Sequence, residues 1–167
     1  MMRIETGRLI LKPLTYVDAP SVFLWMSDPE VNRFMQYSLY SDVKQVEKWI
    51  VSLTPSDHVF GFFLKEGTLI GAGSIRYQEK TKAYNLGYNL NRDYWGKGFA
   101  TEAAKALIGW AHDVLHARRF VVEHAAENIA SEKVILKCGF VFSHYGEYSR
   151  LDGSKTFLSK CYRLELS

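Results

Sequence analysis

A glycine-rich turn directly before a long amphipathic segment constrains this chain more than any other feature of its sequence. Gly96 and Gly98 lie in that turn. The apolar residues after it recur every three or four positions: Phe99, Ala103, Ala106, Leu107, Trp110, Ala111 and Val114. This spacing predicts one buried face of a helix that begins near Phe99. Because the first helical turn has unpaired N–H groups and glycine has no Cβ, the stretch suits phosphate binding.

Two familiar phosphate-binding loops do not fit this turn. A Walker A loop requires Gly-Lys followed directly by Ser or Thr, whereas Lys97 is followed by Gly98. A dinucleotide-binding fingerprint would need a third glycine at Thr101 and would open a βαβ unit. The turn instead follows three predicted strands in mid-chain. On these residues alone, the glycines either bind a phosphate or only shape a tight turn.

The remaining periodicity predicts an α/β (α+β) fold with a mixed, largely antiparallel sheet flanked by helices. Strands are predicted at residues 8–13, 59–64, 69–78, 83–90, 119–123, 140–148 and 155–166. Helices are predicted at residues 18–26, 43–52, 99–114 and 128–137. Asp152-Gly153 is typical of a two-residue hairpin turn between the last two strands. We expect a single domain over residues 1–167.

Composition and charge exclude several classes of protein. The 167 residues are 47% hydrophobic and 23% charged, as in ordinary globular domains. The net charge of +3, without a basic run interleaved with aromatics, gives no indication of nucleic-acid binding. No apolar run approaches a membrane span, and residues 1–5 lack a signal-peptide stretch, so a cytoplasmic protein without a membrane partner is expected. Cys138 and Cys161 have no metal-ligand spacing, so no metal is expected, and nothing indicates an oligomeric state.

Three separated motifs resemble one known family. The segment LGYNLNRDYWGKGFATEA, residues 86–103, is similar to the pyrophosphate loop of the GNAT superfamily of acyl-CoA-dependent N-acyltransferases. AENIASEKVILKCGF (residues 126–140) and ETGRLILKPL (residues 5–14) resemble a helix with its following strand and the opening strand of one branch. That branch is the ribosomal-protein-alanine N-acetyltransferase (RimJ/RimL) type, in which Trp95 is usual at the start of the loop. The resemblance implies a GNAT-like twisted sheet with splayed central strands.

The resemblance also implies a cofactor and the residues that bind it. Acetyl-CoA would be the acyl donor, with its pyrophosphate on backbone N–H groups from Gly96 to Thr101 and its pantetheine between strands 83–90 and 119–123. Backbone N–H groups near residues 88–90 would stabilise the oxyanion. The residues expected to bind the cofactor are Tyr88, Asn89, Leu90, Trp95, Gly96, Lys97, Gly98, Phe99, Ala100, Thr101 and Asn128.

Several of these residues also have an ordinary structural interpretation. Lys97 is either a counter-charge for the phosphates or a solvated loop lysine, and Asn128 either contacts the cofactor or caps the helix that follows it. Ser131 lies one turn into that helix, where this branch carries a serine proposed to serve the leaving thiolate. Many other members use a tyrosine one turn later, and that position is Ile135 here. Ser131 is therefore the predicted catalytic acid, or else only a polar residue of the first turn.

The resemblance to the family lacks one functional group, the general base. Where relatives often carry glutamate, Asn85 stands in this chain, at a position expected to face the substrate. An amide cannot take up a proton at neutral pH. Glu123, His124 and Glu127 remain as candidate bases, acting directly or through water.

The missing glutamate favours an acceptor that loses its proton easily. We therefore expect direct transfer of acetyl to a primary amine, with preference for a peptide or protein α-amine over lysine. Two alternatives stay open: acetylation of a small amine such as a polyamine, amino sugar or antibiotic, and a non-catalytic acyl-CoA-binding protein.

Overall fold

In the computed structural model, which describes residues 2–167, eight strands form one mixed sheet. The strands are β1 Ile4–Glu5, β2 Leu9–Lys12, β3 Val59–Leu64, β4 Leu69–Gln78, β5 Ala83–Leu90, β6 Arg119–Ala125, β7 Val141–Ser149 and β8 Thr156–Glu165. The helices are α1 Ala19–Met26, α2 Val43–Ser52, α3 Phe99–Leu115 and α4 Ile129–Lys137. Across residues 2–167, none of the helices has the length and apolar character needed to cross a membrane.

The sheet has the order β1-β2-β3-β4-β5-β6-β8-β7, and its only parallel neighbours among the described strands are β5 and β6. Their pairing is confined to Tyr84 opposite Phe120 and Asn85 opposite Val121. Both strands continue for several residues beyond these pairs without pairing with each other. The predicted mixed sheet with splayed central strands is therefore confirmed.

The sheet separates two apolar clusters. On one face, α3 and α4 cover the central strands, and Phe60, Leu107 and Phe120 are completely buried there. On the other face, α1 and α2 cover the sheet, with Trp25 and Val46 buried beneath them. Because side chains alternate along a strand, β3 and β4 contribute to both clusters, whereas β5 and β6 contribute buried apolar residues only to the first cluster.

Strand β5 shows the alternation that its sequence predicts. Leu86 and Leu90 are buried in the cluster beneath α3, and Tyr88 packs against the same cluster. Asn85 and Asn89 occupy the opposite face, where the Asn89 amide reaches residues that pack against α1. The apolar row and the amide row thus lie on opposite faces of the sheet.

The predicted helices and strands are confirmed with small changes at their ends. The predicted two-residue turn at Asp152-Gly153 is wrong: the Arg150 N–H donates to the Lys155 carbonyl, so that four residues close the hairpin. Strand β1 was not predicted, because Ile4–Glu5 is too short for periodicity to reveal it. Strand β6 runs two residues beyond the predicted end, to Ala125. Asn128 lies just outside α4 and accepts a hydrogen bond from the Ser131 N–H, so it caps the helix.

Candidate active site

The glycine turn has the backbone geometry that its sequence predicts. Gly96 and Gly98 have φ values of +75° and +83°, in the left-handed region that favours glycine. Gly98 is the N-cap residue of α3, and it has no side chain that could accept from the first-turn N–H groups. Those N–H groups therefore remain available for an anion at the positive end of the helix.

Space around the turn is open. A Cβ built on Gly96 would meet no atom within 4 Å, and one on Gly98 would lie 3.4 Å from Nη2 of Arg8. Packing against protein atoms therefore does not explain the glycine at residue 96. The backbone conformation favours glycine at both positions, and the binding of a phosphate there remains a prediction.

The residues just before the turn hold it at the end of β5. The Asn91 side chain accepts from the Asp93 N–H in a short 3₁₀ turn, and the Trp95 indole donates to the Leu90 carbonyl at 2.9 Å. Trp95 thus has a structural role beside its predicted cofactor contact. Arg92, whose position before the turn makes it a candidate phosphate ligand, is paired instead with Asp28, with Nε and Oδ2 3.1 Å apart.

Lys97 projects from the turn beside an aromatic ring. Its ammonium lies 5.7 Å from the centroid of the Tyr94 ring. A side chain at this place can extend toward a phosphate on the α3 N-terminus without breaking an ion pair. Its role as a counter-charge remains a prediction.

The pairing of β5 and β6 stops after Asn85 and Val121, which leaves a gap between the two strands that we call the cleft, and α4 packs against β6 beside it. There the Ser131 Oγ lies 3.0 Å from the Tyr88 hydroxyl. Burial raises the pKa of Tyr88 to about 12, although the bond with Ser131 acts in the opposite direction. Ile135 is completely buried in the core and offers no polar group in place of the tyrosine of other members. The sequence predicted Ser131 but gave no sign of its tyrosine partner.

The other side of the cleft carries the amides of β5 and one carboxylate. Because Asn85 is opposite Val121 and side chains alternate, Glu123 lies on the same face of the sheet as Asn85. The Ser159 hydroxyl, completely buried, donates to Oε2 of Glu123, and the Cys161 Sγ lies 3.6 Å from the same oxygen. This arrangement fixes the Glu123 carboxylate with one oxygen held by the protein.

The other two candidate bases are placed differently. His124 is on the opposite face of β6 and is buried. Its Nδ1 lies 2.6 Å from the Ala125 carbonyl oxygen, and its Nε2 lies 3.1 Å from the Tyr162 hydroxyl. Burial lowers the pKa of His124. Glu127 is exposed in the turn before α4. Of the three, only Glu123 shares a face with Asn85.

The segment between α1 and α2 closes this face, although its sequence carries no recognisable motif. The Tyr37 hydroxyl accepts from the Asn89 amide at 2.7 Å. The Tyr148 hydroxyl donates to the Phe34 carbonyl at 2.6 Å, which ties the segment to the hairpin of β7 and β8. Burial, and next the charge of Glu123, raise the pKa of Tyr148 to about 12. A recurrence of aromatic residues every three positions, at residues 34, 37 and 40, was the available signal.

Neither cysteine is prepared for nucleophilic chemistry. Burial raises the pKa of Cys138 to about 11. Burial and the Glu123 charge also raise the pKa of Cys161. Both groups therefore stay protonated as thiols near neutral pH, whereas the thiolate is the nucleophile. Within residues 2–167 no three His, Cys, Asp or Glu side chains come together in a way that could hold a metal ion.

Comparison with known proteins identifies the family and the fold. The family model described as an acetyltransferase (GNAT) domain matches residues 8–141. An uncharacterised N-acetyltransferase of Bacillus licheniformis, p20, is 32% identical over 148 residues, covering 84% of this chain and 83% of that protein. The ribosomal-protein-serine acetyltransferase of Escherichia coli is 35% identical over 78 residues, covering 46% of this chain and 44% of that protein.

A solved structure shares the whole fold. Spermidine N-acetyltransferase from Vibrio cholerae, in complex with CoA and spermine, superposes with a TM-score of 0.83. The alignment covers 96% of this chain and 96% of that one, at 15% sequence identity. At this identity the likeness describes the fold alone.

Proposed function

The chain belongs to the GNAT family of acetyltransferases, and on that premise we propose that its acceptor is the free α-amine of a peptide or protein N-terminus. The reaction is acetyl transfer from acetyl-CoA to an amine. The alternative of a non-catalytic acyl-CoA-binding protein is therefore dropped. The observation that carries the choice of acceptor is Asn85, an amide on the strand position where relatives often carry glutamate.

The two kinds of amine differ greatly in the fraction that is ready to react. An α-amine of pKa about 7.7–8.0 is about one-fifth neutral near pH 7.3, whereas a lysine of pKa about 10.4 is neutral at about one part in a thousand. Deprotonating lysine therefore costs about 3 kcal/mol more. Positioning the amine against the thioester supplies much of the remaining acceleration without a strong base. A site without the usual glutamate suits the α-amine.

In the proposed reaction, acetyl-CoA lies in the cleft between β5 and β6 and the acceptor approaches from the face of Asn85. The amine nitrogen attacks the thioester carbonyl carbon, and backbone N–H groups of residues 88–90 stabilise the oxyanion. As this intermediate collapses, the C–S bond breaks and the amide remains. Glu123 takes up the amine proton, directly or through water, because it is the candidate base on this face.

The pair of Tyr88 and Ser131 serves the leaving thiolate by hydrogen bonding. The pKa of Tyr88, raised to about 12, makes it a weaker acid than a thiol, whose ordinary pKa is about 8.5. Full proton transfer from this tyrosine to the thiolate is therefore uphill by about 5 kcal/mol. A hydrogen bond from the pair stabilises the developing negative charge on sulfur without that cost. The raised pKa values of both cysteines favour direct transfer over an acetyl-cysteine intermediate.

The acceptor is tested with two matched peptides. One has a free N-terminus and no lysine, and the other has a blocked N-terminus and one lysine. We expect kcat/KM to favour the free N-terminus, by up to about two hundredfold if the neutral fraction alone decides. Faster turnover of the blocked peptide throughout pH 7 to 8 would contradict the proposal. In the same assay, Glu123→Gln should lower turnover of the preferred peptide, whereas Glu127→Gln, at an exposed position, should not.

A small cationic amine is the second candidate acceptor, and one observation favours it. The Glu123 charge helps to raise the pKa of Tyr148, and the Tyr37 hydroxyl accepts from the Asn89 amide, so that two aromatic side chains accompany the carboxylate and amide side chains on the proposed acceptor face. Aromatic faces and a carboxylate together attract an ammonium group. A polyamine that outperforms both peptides in kcat/KM would select this candidate.

A further inference from the structure

The turn between β1 and β2 meets the glycine turn, although the two lie about ninety residues apart in sequence. Nη1 of Arg8 donates to the Lys97 carbonyl at 3.0 Å, and Nε donates to Oε1 of Glu102 at 2.8 Å. The guanidinium carbon lies 4.1 Å from the centroid of the Phe99 ring. One arginine thus contacts the turn, the first residue of α3 and the first turn of that helix.

The carboxylate of Glu102 is the second part of this contact. It accepts from the backbone N–H of Arg8 at 3.0 Å and from the Thr6 hydroxyl, besides the bond from the guanidinium. Burial acts to raise the pKa of Glu102, but the hydrogen bonds from Thr6 and Arg8 prevail, and the pKa is lowered. Glu102 is therefore ionised near neutral pH. The positive charge of Arg8 compensates this negative charge at the N-terminal end of α3, which is the end proposed to bind the pyrophosphate.

The bond to the Lys97 carbonyl has a direct consequence for Gly98. The carbonyl of Lys97 and the N–H of Gly98 belong to one planar trans peptide unit, so that fixing the carbonyl fixes the direction of the N–H. Glycine turns are costly to order, because glycine has the widest choice of backbone conformations. Arg8 removes part of this freedom before any ligand binds.

We propose that Arg8 is a positioning residue for the pyrophosphate of acetyl-CoA: it holds the Lys97–Gly98 peptide in its phosphate-binding orientation and compensates the charge of Glu102. The inference rests on the proposed placement of the pyrophosphate on the glycine turn. It does not depend on the identity of the acceptor amine.

The test compares two acyl donors that share the acetyl-pantetheine arm. Acetyl-CoA also carries the pyrophosphate with the 3′-phosphoadenosine beyond it, and S-acetyl-pantetheine lacks both. With Arg8→Ala we expect KM for acetyl-CoA to rise about tenfold or more, as for the loss of a charge-assisted contact. The kcat at saturating acetyl-CoA and the KM for S-acetyl-pantetheine should stay within about twofold of wild type. Arg8→Lys should be intermediate, because lysine retains the charge but not the planar fork.

Arg76→Ala is the matched control. The Arg76 side chain is 47% exposed, as is that of Arg8, and it likewise contacts a carboxylate and a backbone carbonyl, both of Asp57. This variant should leave both donor KM values unchanged. Calorimetric titration with CoA, which needs no acceptor, should repeat the loss of affinity in Arg8→Ala alone.

Three outcomes would overturn the assignment of Arg8: unchanged CoA affinity in Arg8→Ala, an equal rise in KM for both donors, or an equal effect of Arg76→Ala. If wild type bound acetyl-CoA no better than S-acetyl-pantetheine, the placement of the pyrophosphate would fail and the inference with it. Normal CoA binding without activity on the free-N-terminal peptide would instead contradict the proposed acceptor only.

Discussion

At the scale of single residues, the backbone at Gly98 carries the most specific prediction. Gly98→Val should weaken acetyl-CoA binding at least about tenfold, about 1.4 kcal/mol. The φ of +83° strains any side chain, and a Cβ at this position would lie 3.4 Å from Nη2 of Arg8, which contacts the turn. Calorimetric titration with acetyl-CoA measures the effect.

A second glycine of this region provides the control for that variant. Gly109 lies inside α3, and a Cβ built there would meet no atom within 4 Å. Gly109→Ala should stabilise the helix by up to about 1 kcal/mol and leave the affinity unchanged. Equal affinity of folded Gly98→Val and wild type would remove the glycine turn from the cofactor site.

The hydroxyl pair in the cleft leads to the next prediction. Ser131→Ala and Tyr88→Phe should each lower kcat about tenfold or more with little effect on acetyl-CoA binding, because each removes a donor that serves the leaving sulfur. The double variant should be no worse than the more damaging single variant, since the two hydroxyls act as a unit. Single-turnover measurements isolate the chemical step. Additive losses in the double variant would show that the hydroxyls act separately, and unchanged single-turnover rates would assign both residues to structure.

At the scale of elements, the interface of β6, β8 and α4 makes stability depend on pH. His124 is buried against Tyr162, with ring centroids 5.3 Å apart, and burial lowers its pKa. The unfolded chain therefore binds a proton more readily than the folded one, so that this contribution to stability is present above about pH 6.5 and is lost as the pH falls further.

His124→Gln should make the loss of stability between pH 7.5 and pH 5.5 shallower, because glutamine does not titrate. Urea unfolding at the two pH values measures this difference. His144→Gln, which removes an exposed imidazole of β7, is the control. A wild-type stability that rose on acidification, or an identical slope in His124→Gln, would contradict the assignment.

The elements themselves follow from local sequence. Helical spacing after Phe99 and alternation along β5 are repeated over many residues, and both are confirmed at nearly the predicted bounds. Strand β1, with two residues, was missed because it exists only through its pairing with β2. A periodic sequence pattern is recognisable only over several repeats, whereas a strand of two residues can form wherever a neighbouring strand pairs with it.

At the scale of the whole molecule, the proposed acceptor face is assembled from distant parts of the chain. The segment between α1 and α2 and the hairpin of β7 and β8 meet through the Tyr148–Phe34 hydrogen bond, 114 residues apart. The proposed cofactor side is built mainly from one continuous stretch, residues 86–103. This difference explains why a sequence motif predicts the acyl donor, whereas no motif predicts the acceptor.

By itself, the sequence determined the helices and all strands but β1, the glycine turn before α3 and the family whose motifs it shares. These depend on spacing and on backbone conformations that neighbouring residues specify. Only the tertiary structure decided that Glu123 rather than His124 shares a face with Asn85, that Tyr88 meets Ser131, and that Arg8 holds the turn. In a strand, the side chains of neighbouring residues point to opposite faces of the sheet. The packing of the sheet against its helices decides which of these faces borders the cleft.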